Sequence, residues 1–169
     1  MKIKVILSIL AFALYTNCHA QQKTNFDQWN SLIGEWQGSG NGQPGQGGGS
    51  FSLALNLNQK ILLRKSHSEY ASADNKPKVI HDDLMIVYCD MTGNPSKAIY
   101  FDNEGHTINY SIVYADKSIV LTSEKSANTP LFRLTYTLLE DEMLNTKFEM
   151  SNDGEKFITY IEGKSKKIK

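Results

Sequence analysis

Apolar and polar residues alternate with a period of two in about ten short runs between Gly34 and the end of the chain. Such alternation is typical of strands with one buried face, and short turns join most of the runs. Consecutive hairpin-joined strands in one small domain are best accommodated by a closed barrel, because closure removes the exposed sheet edges. The sequence therefore predicts an all-β fold, an antiparallel up-and-down barrel of about ten strands. The predicted strands span about 35–41, 50–58, 60–70, 79–90, 96–102, 106–114, 118–125, 131–139, 143–151 and 156–166.

A short N-terminal helix is predicted before the first strand. Phe26, Trp29, Leu32 and Ile33 are spaced as on one helical face, and they follow Asn25, a residue type that caps helices. We expect this helix to plug one end of the barrel.

Three hairpins fix which side chains share a face, because the side-chain period of a strand is two. A two-residue turn at 58–59 pairs Leu53 with Arg64, so Arg64 points inward. A three-residue turn at 103–105 makes Asp102 oppose His106 at the end of an inward face rich in aromatic residues. That face continues through Tyr100, Tyr110, Ile112 and Tyr114.

The third hairpin, with a two-residue turn at 153–154, pairs Met150 with Phe157 and places Phe148 on the inner face. The hairpin around Asp141 leaves two registers open. A two-residue loop would direct Arg133 inward, whereas a three-residue loop would direct it outward, with Phe132, Leu134 and Tyr136 facing in.

Residues 1–20 have the pattern of a secretory signal peptide. Two lysines precede an apolar run at 5–15, and small residues allow cleavage before Gln21. The remaining residues, 21–169, are predicted to form one domain that is exported to the periplasm or secreted. Lipid attachment at Cys18 is the alternative, and it would anchor the mature protein.

The composition limits the classes of partner and the means of stabilisation. The chain has 18 Lys and Arg side chains against 18 Asp and Glu, and this balance argues against a nucleic-acid partner. No apolar run beyond the leader is long enough to span a membrane. Only Cys89 remains after cleavage, so an internal disulfide cannot form and the hydrophobic core must hold the fold.

The stretch 32–40, Leu-Ile-Gly-Glu-Trp-Gln-Gly-Ser-Gly, resembles the first strand of the lipocalin-like (calycin) superfamily, in which a Gly-x-Trp closes the barrel base. It looks most like nitrobindin-like and related bacterial lipocalin-like domains of unknown function. The resemblance covers essentially all of residues 26–164, but its sharp motif is confined to this strand. It implies a ten-stranded barrel that holds a small molecule.

The same resemblance bears on the ligand. Nitrobindin-like barrels carry haem on a His near the C-terminal strands, and this chain has no His after His106, so neither haem nor another cofactor is expected. Fatty-acid-binding barrels hold a carboxylate with interior Arg and Tyr. The resemblance implies that Arg64, Arg133 and the inward tyrosines would have that role here.

Arg64 and Arg133 are the only arginines of the chain. An inward Arg costs several kcal/mol to desolvate unless it is paired, so Arg64 needs an internal carboxylate or an anionic ligand. The alternative is that one of the two stacks on Trp36 and stabilises the barrel base. Both interpretations stay open at the level of sequence.

Three other groups of residues could carry chemistry. Asp102 and His106 could hold the turn, line a binding mouth, or act as a catalytic base. His81 and Asp83 could share a metal only with a third ligand, so we expect a solvated strand there and no metal site. The glycine-rich segment 38–49 is followed by a strand instead of a helix, which favours a flap near the barrel mouth over a phosphate loop.

The sequence therefore predicts an exported barrel that binds a small, mainly apolar ligand, for which a carboxylate group is one option. The alternatives are an isomerase or hydrolase that uses Asp102 and His106 as a base, and an envelope protein whose barrel is filled by its own side chains. Whether the protein is an enzyme is uncertain, with binding favoured. The predicted ligand-binding residues are Phe51, Leu53, Arg64, Tyr100, Asp102, His106, Tyr110, Tyr114 and Phe148.

Overall fold

The computed structural model describes residues 25–40, 48–70, 78–126 and 129–169. The predicted signal peptide, with Cys18, and residues 41–47 of the glycine-rich segment lie outside these ranges. The described residues contain no helix whose length and apolarity would let it span a membrane.

Ten antiparallel strands form a closed barrel in which each strand pairs with its neighbours in sequence and the last strand pairs with the first. The predicted all-β class, strand number and up-and-down order are confirmed. The strands are β1 (Gly34–Gly38), β2 (Ser50–Asn56), β3 (Ile61–Tyr70), β4 (Val79–Tyr88), β5 (Lys97–Asp102), β6 (Thr107–Ala115), β7 (Ser118–Ser123), β8 (Leu131–Leu138), β9 (Met143–Ser151) and β10 (Ile158–Lys167).

The alternation seen in the sequence reappears as alternating burial. On β4, Met85 and Val87 are fully buried while Tyr88 is exposed. On β6, Tyr110 and Ile112 are buried while Val113 is exposed. One face of each strand thus supplies the barrel core, as expected for a pleated strand with one buried face.

The predicted short N-terminal helix is not confirmed beyond one helical turn. Only Asp27–Trp29 is helical, as a single 3-10 turn. The Trp29 amide donates to the Phe26 carbonyl at 2.8 Å, and the Leu32 amide donates to the Trp29 carbonyl at 2.8 Å. These bonds join residues three apart, the spacing of a 3-10 turn and not of an α-helix.

The predicted plug is nevertheless present, because the segment 25–33 covers one end of the barrel. Trp29 is fully buried, and its ring lies edge-on to Tyr114 and Tyr136 at centroid distances of 6.5 and 6.2 Å. Its Nε1 donates to the Tyr114 hydroxyl at 2.8 Å. Trp36 donates from its own Nε1 to the Leu32 carbonyl at 2.8 Å. We call this end the plugged end.

Two of the predicted registers are confirmed and the third is wrong. Leu53 pairs with Arg64, and Tyr100 pairs with Ile108, as the turn lengths indicated. Met150, however, pairs with Ile158 and not with Phe157.

The physical reason for the C-terminal error is the turn itself. The Asp153 carboxylate accepts hydrogen bonds from the Ser151 hydroxyl and from the backbone amides of Glu155 and Lys156, at 2.8 to 2.9 Å. This capped loop is longer than a two-residue turn. A register shift between Thr159 and Ile161 then displaces the pairing further.

The open question about Arg133 is answered by the loop before β9. The Leu139 amide donates to the Met143 carbonyl at 2.8 Å, which leaves three residues in the loop. Arg133 therefore lies on the opposite face of β8 from the buried Leu134. Its Nε donates to Glu149 at 2.7 Å, so Arg133 does not contribute to the barrel interior.

Candidate functional site

A polar cluster lies inside the barrel toward the end opposite the plug. Because neighbouring strands are antiparallel, the turn 103–106 lies at the same end as the last residues of β1 and β3 and the first residues of β2 and β4, and we call this the far end. The polar cluster consists of Arg64, His81, Asp83, Tyr100, Asp102 and His106.

The buried part of the cluster is an ion pair between Arg64 on β3 and Asp83 on β4. Their side chains are only 11% and 8% exposed. The guanidinium lies 5.0 Å from the centroid of the Phe51 ring, and Phe51 in turn stacks on Trp36 at 6.0 Å. The expected stacking of an arginine directly on Trp36 is therefore wrong, because Phe51 lies between them.

Tyr100 extends the cluster from the ion pair toward the far end. Its hydroxyl donates to Asp102 Oδ2 at 3.3 Å and lies 3.1 Å from His81 Nε2. That nitrogen is also 3.9 Å from Asp83 Oδ2, and His81 Nδ1 lies 3.0 Å from a carboxylate oxygen of Glu104. Burial, followed by the negative charges of Asp83 and Asp102, raises the pKa of Tyr100.

Asp102 and His106 form the outer end of the cluster. His106 Nδ1 is 2.9 Å from Asp102 Oδ2, and the backbone amides of Glu104 and His106 donate to Asp102 Oδ1 at 3.0 and 2.9 Å. The hydrogen bond to Asp102 raises the pKa of His106. Burial acts to raise the pKa of Asp102, but the bonds from His106 and Glu104 outweigh it and lower that pKa. The aspartate thus caps the turn and also orients the imidazole.

Two buried polar atoms beside the ion pair lack a hydrogen-bond partner within the described part of the chain. They are Arg64 Nε and the Tyr136 hydroxyl. Tyr136 is only 1% exposed. Burial raises its pKa, whereas the charge of Arg64 and a side-chain hydrogen bond with Arg64 act to lower it, although neither Arg64 Nε nor the Tyr136 hydroxyl makes a hydrogen bond of good geometry. Buried polar groups in folded proteins nearly always have a partner, so this pair of donors requires an explanation.

The structure brings together most, but not all, of the predicted site residues. Phe51, Leu53 and Arg64 are neighbours on β2 and β3, and Tyr100, Asp102 and His106 follow one another in the cluster. The residues that lie elsewhere or serve the core are Tyr110, Tyr114 and Phe148.

These three have structural partners of their own. Tyr110 is buried in the core. Tyr114 lies at the plugged end, where its hydroxyl accepts from Trp29 and donates to the Pro95 carbonyl. Phe148 stacks on Phe132 at 5.7 Å.

Sequence reasoning missed His81, Asp83 and Tyr136. The prediction of a solvated strand at His81 and Asp83 is wrong, because both are directed to the same side of β4 as the buried Met85. The alternation of side chains along β4 could have indicated this, because Asp83 is two residues from Met85 and the two therefore lie on the same face of the strand. In the described residues no group of three or more His, Cys, Asp or Glu could hold a metal ion.

Two cavities border the N-terminal segment. One of about 180 Å³ is lined by Leu32, Tyr114, Tyr136 and Leu138 among others. The other, of about 280 Å³, is lined by residues that include Trp36 and Lys167. Neither is lined by a member of the polar cluster, although Tyr136 contacts the first.

No protein-family model matches the chain, and no curated protein matches it.

Proposed function

We propose that the protein is an exported, lipocalin-like binding protein that holds a small, mainly apolar molecule inside its barrel. The observation that carries this proposal is the pair of buried donors, Arg64 Nε and the Tyr136 hydroxyl, that have no partner among the described residues. A ligand oxygen at this position would satisfy both.

The surroundings of these donors support binding of a mainly apolar molecule. Leu53, Leu62, Met85 and Leu121 are completely or almost completely buried in the core around the cluster. Small-molecule sites are typically lined by apolar side chains with a few converging polar groups. This combination favours a ligand with an apolar body and one polar group.

The far end is the proposed route for the ligand. The plugged end is closed by Trp29, whereas the far end carries His106, which is 63% exposed, beside the 4% exposed side chain of Asp102. At the same end β1 ends at Gly38 and β2 begins at Ser50. Asp102 and His106 are thus proposed as residues of the binding mouth.

A second candidate function is catalysis by Asp102 and His106. The contact of 2.9 Å and the raised pKa of His106 are features of a general base. Within the described residues, however, no Ser, Thr or Cys side chain is hydrogen-bonded to His106. Binding is the preferred proposal because of the two buried donors without a partner, and the third alternative is an envelope protein with a barrel filled by its own side chains.

Native mass spectrometry of protein purified from its source would test the binding proposal. We expect a retained small molecule on the wild type and its loss from Arg64→Met. Lys65→Met is the matched control, because Lys65 is adjacent on β3 but exposed.

Two results would contradict the proposal. Wild-type protein that carries no molecule and takes up no added apolar compound would indicate the filled barrel. If the wild type and Arg64→Met retained the small molecule equally, Arg64 would not be a ligand-binding residue. Turnover that disappears in His106→Ala would instead favour the enzyme.

A further inference from the structure

The buried charge of Arg64 is already balanced without a ligand. Arg64 is paired with Asp83, and Asp102 is paired with His106. Among the described residues, His81 on β4 and Glu104 in the turn after β5 contact each other in this region. The hydroxyls of Tyr100, Tyr110 and Tyr136 also face the ion pair, and burial raises the pKa of each of them. The buried guanidinium therefore has no unpaired positive charge to offer an anion.

A carboxylate ligand would add a negative charge beside Asp83 and Asp102. An ionised carboxylate in an apolar interior is costly unless it gains a new opposite charge, and Arg64 is the only arginine that points inward. Tyr100 shows the effect of this environment, because burial and the two aspartates raise the pKa of its hydroxyl. A ligand carboxylic acid at the same place would meet the same resistance to ionisation.

A neutral oxygen meets no such penalty. Arg64 Nε carries one N–H, and the Tyr136 hydroxyl carries one O–H, so both can donate to a single acceptor oxygen. The guanidinium would keep its bond to Asp83 through the terminal nitrogen that already makes it.

We propose that the ligand's polar group is uncharged and presents an oxygen acceptor to Arg64 Nε and the Tyr136 hydroxyl. The class comprises aliphatic or aromatic amides, esters, ketones and alcohols, and it excludes free fatty acids as the preferred ligand. This inference rests on the proposed function, since it specifies the chemistry of the molecule that the barrel holds.

Displacement of N-phenyl-1-naphthylamine, a neutral fluorescent apolar probe, tests the head group directly. The competitors are dodecanamide, dodecan-1-ol and dodecanoate, which share one chain length, and the assay is run at pH 8 so that dodecanoate is ionised. We expect dodecanamide and dodecan-1-ol to bind at least about tenfold more tightly than dodecanoate, which corresponds to about 1.4 kcal/mol.

The variant Asp83→Asn should abolish this preference. It keeps the shape of the side chain but removes the charge that neutralises Arg64, so the affinity for dodecanoate should rise at least about tenfold, or about 1.4 kcal/mol. Asp82→Asn is the matched control, because Asp82 is the adjacent residue and its side chain is 55% exposed. The Asp82→Asn variant should prefer dodecanamide and dodecan-1-ol over dodecanoate to the same extent as the wild type.

Tyr136→Phe provides a second variant should Asp83→Asn prove unfolded by circular dichroism. It removes only the hydroxyl, and it should weaken the binding of dodecanamide several-fold more than the binding of dodecanoate.

The outcomes separate the two proposals. Tighter binding of dodecanoate than of dodecanamide to the wild type overturns the uncharged head group and leaves the binding function intact. Failure of the probe and of every competitor to bind overturns both. An unchanged preference in folded Asp83→Asn, or in Tyr136→Phe, overturns the assignment of the head group to these donors.

Discussion

The guanidinium of Arg64 is paired with the carboxylate of Asp83 across strands β3 and β4, inside the barrel. Removal of one partner from a buried pair leaves an uncompensated charge. We therefore expect Asp83→Ala to lower the free energy of unfolding by about 3–5 kcal/mol. Urea denaturation followed by tryptophan fluorescence measures this change.

The double variant Arg64→Met, Asp83→Leu is the control for the stability of the pair. It removes both charges and fills the space with apolar atoms, which is often close to neutral for stability. It should be more stable than Asp83→Ala. A double variant that is as unstable as the single one would mean that the loss comes from packing and not from the unpaired charge.

Trp29 should be the main stabilising residue of the plugged end. Trp29→Ala removes a fully buried ring and its hydrogen bond to Tyr114, so we expect a loss of about 3–5 kcal/mol. Val113→Ala is the control, because Val113 is an exposed residue of β6 and should change stability by at most about 0.5 kcal/mol. Chemical denaturation of both variants makes the comparison.

Alanine variants of Gly49 and Gly105 distinguish the cost of backbone strain from the cost of a steric clash. Both have a positive φ, of 76° and 93°, so alanine at either position should cost about 1–2 kcal/mol from strain alone. At Gly49 an added Cβ would also lie 2.1 Å from the His67 carbonyl oxygen, whereas nothing lies within 4 Å at Gly105. Gly49→Ala should therefore lower the melting temperature clearly more than Gly105→Ala. Equal losses would show that the backbone near Gly49 moves away without cost.

The contact between Asp102 and His106 predicts a dependence of stability on pH. The folded-state pKa of His106 is raised by Asp102, so the stabilisation is fully present below the unfolded pKa of about 6.5. It is lost as the pH rises through the folded pKa. The difference in unfolding free energy between wild type and His106→Gln should therefore shrink between mildly acidic and alkaline pH.

A titration by NMR checks the cause of this shift. The His106 pKa should lie above about 6.5 in the wild type and fall in Asp102→Asn, which lacks the negative charge. An unshifted His106 pKa in the wild type would contradict the contact in solution.

Most of the fold could be predicted from the sequence because each strand has one buried face and most turns are short. The inward position of Arg64 could be predicted because the loop, although it spans the four residues 57–60, is centred on 58–59 and so keeps the register of a two-residue turn. The C-terminal hairpin failed where Asp153 caps a longer loop, because loop length cannot be read from residue types alone.

The site was predicted less completely than the fold. The partner of Arg64 was missed because β3 and β4 are joined by a long segment, 71–78, which sets no register between them. The parity of Asp83 with Met85 could have placed it inward, but charged residues near a strand end are ordinarily solvated. Tyr136 was assigned to the inner face only for one of two loop lengths, so its position beside Arg64 could not be inferred.

The seam between β1 and β10 has a consequence for the order of folding. Trp36 pairs with Lys167, and the Glu35 amide donates to the Lys169 carbonyl, so the closing bonds join residues separated by nearly the whole chain. Contacts of such long sequence separation form late, because the loop entropy must be lost before they contribute. Until β10 pairs with β1, both edge strands of the sheet therefore stay uncovered, and this interval is when the chain is most exposed to aggregation.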